Sequence, residues 1–217
     1  MAALRICFIG DSVTLGTGDG SMLGWPGRLC AAARSQGHDV TAYNLGVRGE
    51  TSADVSKRWR DEAARRILPG MNGLLVFAFG LNDCVIEDGT KLRVAPEQTA
   101  ENTRALLGEA SAWLPCLFVG PVPVDDSRLP PQLVPGRELR ILNSQIERAN
   151  GLLARAASEA EVPYLDLFTR LIAGAEWQGL MQQGDGVHPP DGGYELMARM
   201  VEGWASWQRL FRGEVRS

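Results

Sequence analysis

The chain has 217 residues, 45% of them hydrophobic, and 22 Lys and Arg against 26 Asp and Glu give a formal charge of -4. That length suits one α/β core, read here as a single domain over residues 1–217, and interspersed charge without a basic stripe argues against a nucleic-acid partner. No apolar run approaches the ~20 residues that span a bilayer, and the first one starts too close to Met1 for a signal peptide. No integral membrane segment and a cytoplasmic location are therefore expected.

In chain order, short apolar runs alternate with helical patterns. Residues 4–9 read as a buried strand that ends in Gly10-Asp11-Ser12 and runs into Gly16, Gly18 and Gly20. Residues 40–45 form the second strand. Val55, Trp59, Ala63 and Ile67 then recur every fourth residue, with Asp61/Arg65 and Glu62/Arg66 as i,i+4 pairs, so this helix turns its arginines to solvent. After a third strand at 74–79, Pro96 opens a helix carrying Leu106, Leu107, Ala110, Trp113 and Leu114, and Pro115 ends it. A fourth strand at 116–119 precedes a helix marked by Leu142, Ile146, Ala149, Leu153 and Ala156, and a fifth strand occupies 162–165. The last helix spans about 193–210 with Tyr194, Met197, Val201, Trp204 and Trp207, tryptophans that pack rather than bind ligand and whose exposed parts offer a contact for a homo-oligomer.

Parallel strands need crossover connections, so this alternation predicts an α/β fold: a three-layer α/β/α sandwich on a five-stranded parallel sheet, without internal repeat or interdomain linker. Open sheets of this kind bind at the carboxyl edge of the strands. The irregular segments 16–26, 80–95 and 120–136 include two that overhang that edge. In the last, Pro121, Pro123, Pro130, Pro131 and Pro135 stiffen the backbone, while Leu129, Leu133 and Val134 suggest an apolar wall for short acyl or aryl groups. Cys7, Cys30, Cys84 and Cys116 form no C-x-x-C pair, so neither a zinc ribbon nor a redox dithiol is indicated. Cys7 and Cys116 read as core, and Cys84, beside Asn82-Asp83, as either a small loop residue or a substrate contact.

A hydroxyl at a strand end needs a base to become a nucleophile, and the chain has two histidines. His38, in Gly37-His38-Asp39, reads as a solvent-facing turn residue. His188 lies in Asp185-Gly186-Val187-His188-Pro189, where a tight turn lets the carboxylate reach Nδ1 while Nε2 faces outward, as serine catalysis requires. By itself D-x-x-H is equally a satisfied polar turn, and one histidine without a second nearby makes a poor zinc site. Gly49, after the second strand, and Asn82, after the third, are positioned to supply N–H donors to an oxyanion, although both residue types are also common turn formers. Asp11 and Asp83 read as caps or anchors, and Arg48 as a surface residue with contact to an anionic substrate as the alternative. The spacing Gly16, Gly18, Gly20 lacks the lysine of a phosphate-binding loop, and a carbohydrate- or acyl-binding module without catalysis would not require the serine, histidine, aspartate and asparagine set.

Gly10-Asp11-Ser12-Val13, Gly49, Gly80-Leu81-Asn82-Asp83 and Asp185-Gly186-Val187-His188-Pro189 together resemble, in order, the sequence blocks of the GDSL or SGNH hydrolases, with Val13 where that family usually has leucine. The resemblance covers nearly the whole chain. It implies a flavodoxin-like SGNH hydrolase fold and a serine hydrolase acting on a small-molecule ester, with Ser12 as nucleophile, His188 as general base and acid, and Asp185 as its orienter. The backbone N–H groups of Ser12 and Gly49 and the side-chain amide of Asn82 would form the oxyanion hole, and no cofactor or metal would be needed. Such a site is shared by esterases, lipases, thioesterases, lysophospholipases and carbohydrate deacetylases. A turn of helix starting at Ser12 would add N–H groups and a positive dipole end facing the developing charge.

Overall fold

In a computed structural model, which describes residues 3–128 and 139–212, β1 (Leu4–Gly10) leads through the single turn α1 (Ser12–Leu15) to α2 (Gly24–Ser35) and β2 (Val40–Gly46). Next come α3 (Ser52–Ala64), β3 (Asn72–Ala78), the short strands β4 (Ile86–Glu87) and β5 (Lys91–Leu92), α4 (Pro96–Ser111) and β6 (Cys116–Val119). The remainder comprises β7 (Leu139–Arg140), α5 (Asn143–Glu159), β8 (Tyr164–Leu165), α6 (Leu167–Leu171), α7 (Ala175–Met181), α8 (Asp191–Glu202) and α9 (Ala205–Arg209). The main sheet has the order β2-β1-β3-β6-β8, and all its pairs are parallel. The five-stranded sandwich expected from the alternation is thus the observed architecture.

Side-chain alternation on the strands divides the core into two layers. Ile6 and Phe8 of β1 join Leu74 and Val76 of β3 beneath Trp25 and Leu29 of α2 and Met197 and Val201 of α8. Cys7, Ile9, Leu75 and Phe77 point the other way, against Val55 and Trp59 of α3, Leu106 and Leu107 of α4 and Leu153 of α5. Local signals start the helices where the layers need them. Asp54 accepts from the Thr51 backbone at 3.2 Å and from its hydroxyl at 2.7 Å, forming a capping box on α3, and Pro96 begins α4.

Strand register brings three loops to one edge. Gly10 is aligned with Gly46 on one side and Ala78 on the other, so β1, β2 and β3 all stop at one level. The segments beginning at Asp11, Val47 and Phe79 therefore leave the sheet side by side at its carboxyl edge. Gly10 has to be glycine: a Cβ there would lie 1.9 Å from the Ala78 carbonyl oxygen and 2.3 Å from Thr14 Oγ1.

Several expected elements differ. The last helix divides into α8 and α9 because Gly203 caps α8 and Trp204 takes extended backbone angles. Trp207 is buried, while Trp204 is half-buried against the same core. His38 is half-buried rather than turned fully to solvent: its ring stacks on Phe211 with centroids 4.3 Å apart. Segment 80–95 folds into the β4/β5 hairpin, turned by the positive φ angles of Asp88 and Gly89, and β7 extends it into a second, antiparallel sheet. Leu129, Leu133 and Val134, the expected apolar wall, lie outside the described residues. No helix among the described residues is long and apolar enough to cross a membrane.

Gly10→Ala is expected to lower stability by about 1–3 kcal/mol or more, because the clash is with backbone of the adjoining strand. Urea unfolding monitored by circular dichroism measures this as a lower midpoint.

Candidate active site

At the end of β1 the chain turns sharply. Asp11 leaves the sheet in extended conformation, its Oδ1 accepts from Val13 N–H at 2.9 Å, and Ser12 becomes the first residue of α1, which closes at Gly16 with φ 93°. Asp11 is therefore the cap that the sequence suggested. One turn of helix contributes free N–H groups but little macrodipole, so the expected dipole assistance at Ser12 is reduced to those groups.

From the far end of the chain, segment 184–190 returns to the same place. Asp185 Oδ1 accepts from the N–H groups of Val187 at 2.8 Å and His188 at 2.7 Å, around Gly186 at φ 85°. The other oxygen, Oδ2, lies 2.7 Å from His188 Nδ1, and His188 Nε2 lies 2.9 Å from Ser12 Oγ. A carboxylate only accepts, so Nδ1 carries the proton and Nε2 presents a lone pair to the serine hydroxyl. Both Ser12, 5% exposed, and His188, 8% exposed, are held by packing as well as by these bonds. Burial pushes the Asp185 carboxyl up, but the bonds from His188 and Val187 outweigh it and hold the group at about 2. Asp125 N–H donates to the Gly186 carbonyl at 2.8 Å and Arg128 to that of Gly184 at 2.8 Å, tying the turn to segment 120–128.

The two other predicted residues border the same cleft, lined also by Ser12, His188, Arg48 and the apolar side chains Leu81, Val85, Leu139, Ile141 and Val187. Its volume is ≈ 490 Å³ counted to the open mouth. Gly49 turns there with φ 80°, a conformation that favours glycine. Asn82 opens the 3-10 turn Asn82–Cys84 and donates from Nδ2 to the Glu50 carbonyl at 3.0 Å and, more weakly, to Asp11 Oδ2 at 3.3 Å. Its amide is thus aimed by the neighbouring loop and by the cap of α1. Asp83 points away, accepting from Ser52 N–H at 2.9 Å, Ser52 Oγ at 2.5 Å and Thr99 Oγ1 at 2.9 Å, as an anchor. Cys84 is buried with its thiol toward the Gly80 carbonyl at 3.4 Å, and burial pushes that thiol up, so it remains a protonated packing residue. Arg48 is exposed at the rim, whereas Arg93, also at the cleft, is bound to Glu87 at 3.0 Å. No group of three or more His, Cys, Asp or Glu side chains is arranged as a metal site among the described residues.

Arg58 was not anticipated. Its place on α3 reads as solvated surface, yet its side chain is only 16% exposed and lies between Glu50 and the Gly10 carbonyl. A glutamate eight residues earlier, outside the helix, was the only local sign. The predicted Glu62/Arg66 pair is long at 4.0 Å, and Glu62 binds Arg58 at 3.1 Å instead.

A parallel α/β/α sheet with serine, histidine and carboxylate in line at its carboxyl edge is the architecture of an ester-bond hydrolase. The chain belongs to the GDSL-like lipase/acylhydrolase family, whose model matches residues 8–196. Esterase TesA of Pseudomonas aeruginosa is 28% identical over 190 residues, covering 87% of this chain and 81% of that protein. Among solved structures, the lipase/acylhydrolase from Enterococcus faecalis superposes with a TM-score of 0.73 at 20% identity, covering 100% of this chain and 98% of the other. The acetylxylan esterase Axe2 from Geobacillus stearothermophilus superposes with a TM-score of 0.70 at 18% identity over 94% and 95% of the two chains. At these identities the two structures establish the fold.

Asp11 provides a pH test. Burial raises its carboxyl from 3.8 to about 6, against the opposing pull of the Val13 N–H and of His188. A raised acid pKa means that its stabilising contribution is complete below 3.8 and is lost as pH rises through about 6. Asp11→Asn is expected to flatten this part of the stability profile. Urea midpoints of both proteins from pH 4 to 7 measure it, and parallel profiles would exclude the assignment.

Proposed function

We propose that the chain works as one hydrolase domain that cleaves carboxylic esters through an acyl-enzyme on Ser12, with His188 as base and acid and Asp185 as orienter. The observation that carries this reading is the continuous line from Asp185 Oδ2 to His188 Nδ1 at 2.7 Å and from His188 Nε2 to Ser12 Oγ at 2.9 Å. As Ser12 Oγ attacks the acyl carbon, Nε2 takes its proton, and the Asp185 carboxylate stabilises the imidazolium that forms. The tetrahedral oxyanion is received by the N–H groups of Ser12 and Gly49 and by Asn82 Nδ2, which exchanges its longer bond to Asp11 for the new charge while keeping the one to Glu50. His188 then protonates the leaving alcohol, and the acyl-enzyme forms as the carbon–oxygen bond breaks. Water repeats the cycle: His188 removes its proton, hydroxide adds to the acyl carbon, and Ser12 Oγ leaves with the proton returned.

Short acyl or aryl esters suit the cleft best. Leu81, Val85, Leu139, Ile141 and Val187 provide apolar contact around the reacting carbon for a short acyl or aryl group.

Ser12→Ala is expected to lower kcat roughly 10⁴- to 10⁶-fold with the fold intact, and to abolish covalent labelling by a fluorophosphonate. A pure, folded Ser12→Ala preparation that still turned over esters would refute the mechanism. Asn82→Ala is expected to lower kcat about 10²- to 10³-fold, the effect of one oxyanion donor. Rates over a series of p-nitrophenyl esters should peak at short acyl groups; a maximum at long chains would contradict the proposed preference.

A further inference from the structure

We infer that Arg58 is a positioning residue of the oxyanion hole, holding in register the three segments that supply its donors. This rests on the reading of Ser12, Gly49 and Asn82 given above. Those donors lie on segments that leave three different strands, and local geometry in one does not position the others. Arg58 joins them from behind. Its Nη2 donates at 3.1 Å to the carbonyl of Gly10, two residues before Ser12. Its Nε lies 2.6 Å and its Nη2 2.5 Å from the carboxylate of Glu50, the neighbour of Gly49. The backbone carbonyl of that same Glu50 is the shorter acceptor of Asn82 Nδ2, at 3.0 Å. One planar guanidinium thus reaches the nucleophile's strand end directly, the Gly49 turn through a carboxylate and Asn82 through the Glu50 main chain.

Three features distinguish this from a surface ion pair. Arg58 and Glu50 are 16% and 17% exposed, so solvent screens the pair weakly. The remaining nitrogen, Nη1, is held by Glu62 at 3.1 Å, which fixes the plane of the fork. Gly10 O also accepts from Val47 N–H at 3.0 Å, so the arginine strengthens a junction the backbone already makes between the end of β1 and the segment carrying Gly49. Lysine, whose three donors radiate from one nitrogen, does not span contacts that arginine makes from three separate nitrogens of a planar fork.

The expected consequence is a loss in kcat rather than in binding, because the oxyanion forms only after attack. Arg58→Gln is expected to lower kcat roughly 10- to 100-fold on a p-nitrophenyl ester, with KM within about twofold, for protein shown by circular dichroism to be folded at the assay temperature. Arg58→Lys should recover only part of it. In an Asn82→Ala background the Arg58→Gln substitution should cost less than it does in the unmodified protein, because one of the three donors it aligns has been removed. A residue that merely stabilises the fold would lower the melting temperature and leave kcat per folded molecule unchanged. Should Arg58→Gln not fold, Glu50→Gln, which retains the carbonyl used by Asn82, serves for the same measurements. Unchanged kcat in the folded variant, a rise in KM alone, or losses that multiply fully with Asn82→Ala would each overturn the inference. Full kcat in Asn82→Ala alone would instead remove the oxyanion reading, and this inference with it.

Discussion

The site depends on one alignment: Gly10 seated between Gly46 and Ala78, with too little space for a methyl group. Sheet hydrogen bonding sets the level at which the three strands end, and the side-chain-free position lets the backbones close up there. Thr14, the third residue of α1, donates its hydroxyl to the Ala78 carbonyl at 3.0 Å, and Asn44 of β2 donates to the Thr14 carbonyl at 2.9 Å. The turn bearing Ser12 is thereby attached to both flanking strands. A slip of one residue between β1 and either neighbour would displace Gly49 or Asn82 by roughly 3 Å relative to the serine, on the order of the rise per residue in a strand.

Around that alignment, charge is distributed so that each carboxylate has one task. Asp185 divides its oxygens between its own turn and the imidazole, and the bonds it accepts keep it ionised across the working range. Asp11 is more deeply buried, and the N–H groups it caps only partly offset desolvation. Asp83 is likewise buried but is shared by Ser52 and Thr99, which join the Asn82 turn to the starts of α3 and α4. Ser12 Oγ itself meets the imidazole of His188, at 2.9 Å.

Much of this was legible in the sequence, for physical reasons. Buried parallel strands are short unbroken apolar runs, so β1, β3 and β6 were recognisable to within two residues; β2, a largely exposed edge strand, was legible from its β-branched and aromatic residues instead, and β8 was overextended because Pro163 shortens it. Ser12, Asp185 and His188 were legible because a strand end and a D-x-x-H turn are local patterns, and Gly49 and Asn82 because each lies just past a strand. What escaped depends on contacts between distant segments. Helical periodicity assigned Arg58 to a solvated face, since nothing in a 3.6-residue repeat reveals a carbonyl at the end of another strand. Stacking of His38 on Phe211 joins residues far apart in the chain, as does the pairing of β7 with β4. The β4/β5 hairpin is different, because Asp88-Gly89 is a turn signal carried by the local sequence.

The hydrogen bond between His188 and Ser12 joins residues 176 positions apart. Closing so large a loop is entropically demanding and slow, and native contacts must bring the last third of the chain back to the first strand before it can form. On the mechanism proposed above, a chain still emerging from the ribosome, with segment 184–190 unsynthesised, holds the serine without its base. That proposal makes hydrolytic competence a late acquisition, gained only once the chain has folded through residue 190, and turnover then doubles as a measure of whether the chain has closed on itself.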